Sequence, residues 1–240
     1  MKPRAIVVCV EYWDLLELTL PSMLNAFDEV LVVTSSADVK TREVAKGLAR
    51  VFVTDAFYDQ GAPFNKGKAI NEALHQFGKF GFRAVVDADI VFPPDPDWSI
   101  IRTGFLYCPK RRILPDPEQY HADLDWAAFP LTNEGGEFPG YCQIWDAEDE
   151  TVSKEPLYPV HWRHAGGSDS DFMFRWKSNC RVRLPWNVLH LGLQNKNWHG
   201  RVTPMLDGTV PPGAAERDID HKRDREIRVA NRDYSHEFVR

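Results

Sequence analysis

The sequence has few cysteines and no close cysteine pair. Its 240 residues include only 4 cysteines, and none of them forms a C-x-x-C arrangement. Cysteine-bound zinc is usually held by such close pairs, so the cysteine pattern argues against a zinc site. We expect a cytoplasmic protein with reduced thiols, in which the cysteines are core residues: Cys9, Cys108, Cys142 and Cys180.

Long apolar runs and an excess of basic residues are also missing. No run approaches the length needed to span a membrane, and the apolar residues 5–10 are too few for a signal peptide. The formal net charge is −6, so no general positive field attracts nucleic acid, which leaves only a local basic groove for that purpose. Length and composition are those of one sizeable α/β domain.

Short β-branched runs alternate with helical patterns at the start of the chain. Residues 5–10, 29–33 and 51–55 are typical of buried strands, and a helix is expected from residue 39 to about residue 50. Another helical pattern lies between the first two runs, where Pro21 is expected to break it. This alternation predicts a mostly parallel sheet with right-handed crossovers and with ligands at the carboxyl ends of its strands.

A further apolar run, residues 84–92, contains two carboxylates one residue apart. Because side chains alternate along a strand, Asp87 and Asp89 are expected to point to the same side where the chain leaves the sheet. Two carboxylates this close repel each other unless a cation lies between them, and Mg²⁺ or Mn²⁺ shared with phosphate suits such ligands. The alternative is a surface turn, where Asp is common.

A helix start precedes this acidic run. Ile70, Leu74 and Phe77 recur at helical spacing, which places Asn65 and Lys66 at the N-terminus of a helix. Free N–H groups, the positive end of the helix dipole and a lysine together favour phosphate as a ligand. The alternative for Lys66 is a solvated surface lysine.

A second acidic helix start follows a glycine pair. Gly166 and Gly167 precede Asp169 and Asp171, and an apolar helix follows. Asp169 is either an N-cap or a catalytic carboxylate, and Asp171 either binds an acceptor or caps the helix. His190 stands near the end of the strand expected over residues 182–191, where a core histidine and a metal ligand are the two alternatives.

Several aromatic and histidine side chains are candidates for contact with an acceptor. Trp145 and Trp162 offer rings that stack on sugars, although core packing is the alternative for each. His161 and His164 are interpreted as loop residues or as part of an acceptor wall. Residues 198–201 are a candidate lid over the donor.

These motifs, taken in order, resemble those of the GT-A glycosyltransferases. They are Phe64-Asn65-Lys66, Asp87-Ala88-Asp89, Gly166-Gly167-Ser168-Asp169 and His190. The likeness is greatest to the branch of β1,4-galactosyltransferases and chondroitin-polymerase-type domains, and it covers about residues 5–201. It implies a GT-A, Rossmann-like fold, with a mostly parallel central sheet flanked by helices in a single domain. That domain is expected over residues 1–213, followed by a charged C-terminal helix and tail over residues 214–240.

The resemblance also implies roles for individual residues. Asn65 and Lys66 would contact the nucleotide diphosphate, and Asp87 and Asp89 would bind donor and metal. A later histidine completes the metal shell in this family, and His190 is the best match. The donor would be a nucleotide-sugar, with UDP-sugar expected, and the metal Mn²⁺ or Mg²⁺. In the family's Gly-Gly-Glu-Asp motif the Asp is the catalytic base, which corresponds to Asp169.

Two departures from the family pattern bear on substrate. Thr34-Ser35-Ser36 stands where the family often has an Asp that reads uracil, and only Asp38 follows. Asp38 and Glu11, at the end of the first strand, are therefore candidate donor-binding residues. Ser168 replaces the Glu that helps to hold an acceptor sugar. Asp171, Trp145 and Trp162 are the remaining candidates for acceptor binding.

The leading hypothesis is a metal-dependent, inverting hexosyltransferase. Its acceptor is either a carbohydrate or glycoconjugate, or a hydroxymethylated base in DNA of the kind found in phage genomes. The alternatives are a nucleotidyltransferase and an inactive sugar- or nucleotide-binding homologue. Residues 10–14 contain no glycine, which argues against a nucleotidyltransferase phosphate loop. The presence of Asp169 together with Asp87 and Asp89 argues against an inactive homologue.

Overall fold

The structure is a computed structural model, and it describes residues 1–78, 80–132, 138–193 and 196–232. The end of the expected C-terminal tail, 233–240, lies outside these residues. The described strands are β1 (Arg4–Val8), β2 (Glu29–Thr34), β3 (Arg50–Val53), β4 (Phe82–Asp87), β5 (Ile90–Val91), β6 (Leu106–Leu114), β7 (Cys142–Asp146) and β8 (Arg181–Leu191). The described helices are α1 (Trp13–Ala26), α2 (Val39–Ala45), α3 (Lys66–Leu74), α4 (Ser168–Met173) and α5 (Ala214–Arg232), with short 3₁₀ turns between elements.

The strands form one sheet in the order β3-β2-β1-β4-β7-β6-β8-β5. Strands β1 to β4 are mutually parallel, β7 is antiparallel to both β4 and β6, and β8 is parallel to β6 and antiparallel to β5. The central strands β1, β2 and β4 are rich in buried Val, Ile and Ala, as strands with both faces covered must be. The predicted Rossmann-like, mostly parallel sheet flanked by helices is confirmed.

The strand order creates a switch point between β1 and β4. The connections through α1 and α2 run from β1 outward to β3, whereas α3 leads back across the sheet to β4. Right-handed crossovers in opposite directions place α3 on the face opposite α1 and α2, which contact each other. A crevice therefore opens beyond the carboxyl ends of β1 and β4, where ligands of such sheets bind.

A buried ion pair fastens the segment after β8 to the start of α1. Asp14 is 3% exposed and forms a bidentate pair with Arg201, which is 1% exposed. Arg201 also donates to the carbonyls of Glu11 at 2.9 Å and Pro204 at 2.7 Å. Asp14, in the first turn of α1, therefore anchors Arg201.

Helix α1 continues through Pro21, so the expected break is wrong. A proline removes the hydrogen bond to the carbonyl four residues earlier, here that of Glu17. Both Glu17 and Pro21 are exposed, so water can satisfy that carbonyl on the outer face of the helix.

The four cysteines are free thiols, and three of them are buried. Within the described chain, no helix is both long enough and apolar enough to cross a membrane.

Candidate functional site

The acidic motif lies at the switch point, but it is not one continuous strand. Strand β4 ends at Asp87, residues 88 and 89 form a turn, and β5 follows. Val8 at the end of β1 pairs in register with Asp87, so the motif opens into the crevice between β1 and β4. The turn separates the two carboxylates: Asp87 faces α3, and Asp89 faces β8. The expectation of one continuous strand through both carboxylates is therefore wrong, and alternation along a strand does not set the direction of Asp89.

Lys66 is the first residue of α3 and forms an ion pair with Asp87. Its side chain is 11% exposed. Burial alone would lower the pKa of this ammonium group, but the carboxylates of Asp87, Asp169 and Asp89 outweigh it and raise the pKa. Lys66 therefore stays cationic while largely removed from water, and the solvated-lysine alternative does not describe it.

Asn65 caps α3 and is almost fully buried. Its side-chain oxygen accepts from the Lys68 N–H at 2.9 Å, and its Nδ2 donates to the Val160 carbonyl at 2.9 Å. The Asn65 side chain is thus committed to holding the helix start against the loop at Val160. Gly67, two residues after Asn65, has no room for a side chain, since a Cβ there would lie 1.9 Å from the Pro159 carbonyl oxygen.

Asp89 and His190 meet where β5 pairs with β8. His190 lies opposite Ile90, and its Nε2 is 3.4 Å from Asp89 Oδ2. The other oxygen, Asp89 Oδ1, is buried and has no hydrogen-bond partner among the described residues. Burial raises the pKa of Asp89 to about 6, against the lowering effect of Lys66. Carboxylate and imidazole ligands with one unsatisfied oxygen fit Mn²⁺ or Mg²⁺.

Asp169 lies in the first turn of α4 and does not cap it. The N-cap residue of α4 is Gly167, so no side chain caps this helix. Instead, Asp169 Oδ2 accepts from the Gly140 N–H at 2.7 Å, and the Asp169 carbonyl accepts from Gln143 Nε2 at 2.9 Å. Gln143 is itself held by the Tyr158 hydroxyl at 2.9 Å. These bonds fix Asp169 against the residues that lead into β7.

The glycine pair before α4 is required by two tryptophans. A Cβ on Gly166 would lie 2.6 Å from the Trp198 ring, and one on Gly167 would lie 2.7 Å from the Trp162 ring. Gly167 also has a φ of +121°, which favours glycine. Close packing of rings, rather than flexibility, therefore accounts for the pair.

Asp171 binds side chains of the preceding loop. It accepts from Trp162 Nε1 at 2.7 Å and lies 2.9 Å from His161 Nε2. His161 is 67% exposed, so this group borders solvent beside Asp169. Asp171 is therefore not a helix cap, and its role in binding an acceptor stays a proposal.

Trp145 is a core residue. It is 2% exposed and packs edge-on against Phe172, with ring centroids 4.7 Å apart. No face of its ring is left for a sugar, so the expectation that Trp145 contacts an acceptor is wrong. The alternative of core packing holds, because Trp145 lies in β7 between covered faces of the sheet.

Glu11 and Asp38 meet at the carboxyl end of β1. Asp38 Oδ2 accepts from the Glu11 N–H at 2.7 Å, and the same carboxylate caps α2 through Thr41. Glu11, three residues past the end of β1, has a φ of 61°, which few residues other than glycine adopt. Its Oε2 is 2.7 Å from Nη1 of Arg217 in α5. The two acids are thus adjacent, and both already bind groups of the chain.

Sequence reasoning missed the residues that support this site. Gly140, Gln143 and Arg217 have no recognisable motif, and each acts through a partner far away in the chain. A small residue just before a buried strand was the one available hint for Gly140. Nothing local distinguishes Arg217 from the other charged residues of its helix.

Comparisons with known proteins find similar folds only. No family model and no curated protein matches the chain. The inositol-1-phosphate CTP transferase from T. maritima is 10% identical, with 80% of this chain and 90% of that chain covered and a TM-score of 0.48. Glucosyl-3-phosphoglycerate synthase from Mycobacterium tuberculosis, solved with Mn²⁺, UDP and glucosyl-3-phosphoglycerate, is 16% identical, with 79% and 70% covered and a TM-score of 0.44. Likeness this low transfers no activity, so function is inferred from the site.

Proposed function

We propose that the chain is a metal-dependent glycosyltransferase that moves a hexosyl group from a nucleotide-sugar to an acceptor hydroxyl, with inversion. One observation carries the proposal: at the switch point Lys66 pairs with Asp87, Asp89 Oδ2 lies 3.4 Å from His190 Nε2, and the Asp169 carboxylate acts on the same buried ammonium of Lys66. A cation for diphosphate, oxygen ligands for a metal and a base for the acceptor are thereby available in one crevice.

The leaving diphosphate would be stabilised from two sides. Lys66 would bind phosphate oxygens, and the start of α3 adds the positive end of its dipole. Asp89 and His190, with Asp87 beside them, would hold Mn²⁺ or Mg²⁺, and that ion supplies Lewis-acid stabilisation of the leaving group. Because Asp87 already neutralises Lys66, the donor phosphates would share this lysine with Asp87.

Asp169 would act as the catalytic base. The Gly140 N–H holds its Oδ2, which orients Oδ1 to take the proton from the attacking acceptor hydroxyl. A single carboxylate on the side of the nucleophile supports direct displacement and therefore inversion at the anomeric carbon, as in inverting glycosidases.

The acceptor side is formed by Asp171, Trp162 and His161. Ser168, which takes the place of the family's acceptor-binding Glu, is 1% exposed and does not reach a substrate. This loss favours a hydroxymethylated base in DNA over a carbohydrate or glycoconjugate. The donor is proposed to be a UDP-sugar, with Glu11 and Asp38 at the nucleotide end.

A screen of donor hydrolysis tests the function. Purified protein is incubated with UDP-, GDP-, CMP- and TDP-sugars and Mn²⁺ or Mg²⁺. The released nucleotide, which is CMP for the CMP-sugars and a nucleoside diphosphate for the others, is measured for wild type, Asp89→Ala and the exposed control Asp95→Ala. We expect one donor to be hydrolysed by wild type and Asp95→Ala but not by Asp89→Ala. That donor is then offered with oligosaccharides and with hydroxymethylated DNA.

Two results would overturn the proposal. Release of pyrophosphate from a nucleoside triphosphate and a sugar phosphate, without sugar transfer from any donor, would establish a nucleotidyltransferase instead. Binding of a donor, with no transfer of its sugar to any acceptor or to water, would establish an inactive homologue.

A further inference from the structure

A second group of metal-ligating side chains lies away from the Asp89–His190 pair. It consists of His164 in the loop before α4, His199 in the segment after β8, and Asp224 in α5. One ligand atom from each lies within 4.8 Å of the other two. No other such group of three occurs in the described chain, and the acidic motif does not form one.

The spacing of these atoms approaches that of a metal site. Asp224 Oδ2 is 2.8 Å from His199 Nε2 and 3.7 Å from His164 Nε2. Ligand atoms around tetrahedral zinc lie roughly 3.3 Å apart, given bond lengths of about 2.0–2.1 Å. The two distances bracket this value, so small side-chain movements would create the site.

The burial of these three side chains makes a bound cation a better interpretation of the group than a solvated ion pair. His199 is 5% exposed, and its Nδ1 has no hydrogen-bond partner among the described residues. The side chains of His164 and Asp224 are 14% and 25% exposed. The imidazole rings of His164 and His199 are stacked, with centroids 5.3 Å apart, so both present ring edges toward the same carboxylate.

One contact has to change when a cation binds. The Gly166 N–H donates to His164 Nδ1 at 3.1 Å, which leaves the proton of a neutral ring on Nε2. Binding through Nε2 requires that proton to leave and the neutral ring to carry its proton on Nδ1, which then no longer accepts from the Gly166 N–H. The bond from Gly166 is then given up in exchange for the metal bond.

The position of the group gives it a structural role. Among its described side chains, α5 contacts the domain through the Arg217–Glu11 pair, through Asp224 beside His164 and His199, and through the buried His221 ring against Trp198. Most of these contacts are polar, and Ile219 is 66% exposed. A metal bond from Asp224 to two histidines of the domain would fasten such a helix, as metals do where apolar burial is small.

We propose that His164, His199 and Asp224 form a site for a divalent transition metal, with Zn²⁺ the expected ion, that fastens α5 to the transferase domain. Two imidazoles and one carboxylate suit zinc, and the fourth position is left for water. The site is separate from the proposed donor metal, and it stands whether or not the chain transfers a sugar.

Zinc content of the full, tag-free chain tests the proposal. After loading with ZnSO₄ and dialysis, we expect about one tightly held zinc per chain by mass spectrometry. Asp89→Asn should keep it, as should the matched controls Asp220→Asn on the same helix and His161→Ala in the same loop. His199→Ala and Asp224→Asn should lose most of it.

Two further measurements guard against misfolded variants. Asp224→His supplies a new ligand and should restore zinc, and wild type loaded with Co²⁺ should show the visible absorption of a four-coordinate site. Zinc that is absent from wild type, retained by Asp224→Asn, or lost in Asp89→Asn would overturn the proposal.

Discussion

Lys66 is the residue at which the charges of the candidate site meet. Its buried ammonium pairs with Asp87, and its pKa is raised by three carboxylates acting against burial. A fixed cation of this kind needs no reorganisation when negative charge develops on a leaving diphosphate. Its removal should therefore affect turnover more than folding.

We predict that Lys66→Met lowers the rate of donor hydrolysis by roughly 10²–10³-fold, as loss of one preorganised charge does. Lys68→Met is the matched control, because Lys68 lies two residues further along α3 and pairs with the exposed Asp59. It should hydrolyse the donor at the wild-type rate. Equal rates for both variants would remove Lys66 from the donor site.

The raised pKa of Asp89 predicts that the stability of the metal-free protein depends on pH. Its pKa is raised by burial from 3.8 to about 6, so between these values the unfolded chain ionises first. Ionisation then favours unfolding, and stability falls as pH rises from about 4 to about 6 and stays level above.

Comparison with Asp89→Asn isolates this effect. Urea unfolding in EDTA at several pH values should show wild type losing about 2–3 kcal/mol relative to Asp89→Asn over that interval. Saturating Mn²⁺ should reduce the loss, because the ion favours the carboxylate. A constant difference between the two proteins from pH 4 to pH 6 would contradict the assignment.

Residues of the site differ in how far the sequence could predict them. Lys66 and Asp169 stand at helix starts with local patterns, and in the structure the Asp169 carboxylate acts on Lys66, which pairs with Asp87. Trp145 could not be separated from a binding tryptophan, because a strand pattern does not say which face is covered. The ion pair of Arg201 with Asp14 could not be predicted, because the two residues lie 187 positions apart in the chain.

At the scale of elements, the start of α3 depends on a close approach. Gly67 lies against the loop at Pro159, and Asn65 bonds to the same loop at Val160. This contact sets the position from which Lys66 extends. A glycine one residue after the lysine is thus part of the site, although it touches no ligand.

Gly67→Ala should destabilise the protein by about 1–3 kcal/mol, because the added methyl overlaps backbone rather than a movable side chain. It should also slow donor hydrolysis by displacing Lys66. Gly78→Ala is the control: its φ of +71° costs about 1–2 kcal/mol, but nothing lies within 4 Å and hydrolysis should persist. Urea unfolding and hydrolysis rates measured on both variants check this, and an unaltered Gly67→Ala would contradict it.

Element boundaries show where local patterns stop being informative. Helix α2 was expected to reach about residue 50 but ends at Ala45, where the chain turns through a glycine with φ of +75°. Pro21 sits inside α1 because the affected face is exposed. Both outcomes depend on which surface the neighbouring elements cover, and that information is not local.

For the whole molecule, topology decides where chemistry can occur. Alternating strands and helices predicted a mostly parallel sheet with ligands at the carboxyl ends of its strands. The reversal of strand order between β1 and β4, which locates the crevice, is seen only in the structure. The antiparallel β7 and the pairing of β5 with β8 were not predicted, yet they bring Gly140 and His190 to the site. Long-range pairings of this kind are set by packing, not by local pattern.

Breaking the buried Asp14–Arg201 pair should lower the free energy of unfolding more than breaking an exposed ion pair does. Arg201→Met leaves a buried carboxylate unpaired and should cost about 3–5 kcal/mol in urea unfolding. The half-exposed pair of Arg50 and Glu29 is the control, and Arg50→Met should cost about 1 kcal/mol or less. Asp14→Leu combined with Arg201→Met should recover part of the loss; a small cost for Arg201→Met alone would refute this account.

Calorimetric titration of UDP tests the central claim, that Lys66 and the acids at the switch point form a metal-dependent nucleotide site. Wild type and Asp89→Asn are each titrated with and without Mn²⁺. We predict binding to wild type only when Mn²⁺ is present, and at least tenfold weaker binding to Asp89→Asn with the metal. Equal affinity for UDP with and without Mn²⁺, or in Asp89→Asn, would contradict the account.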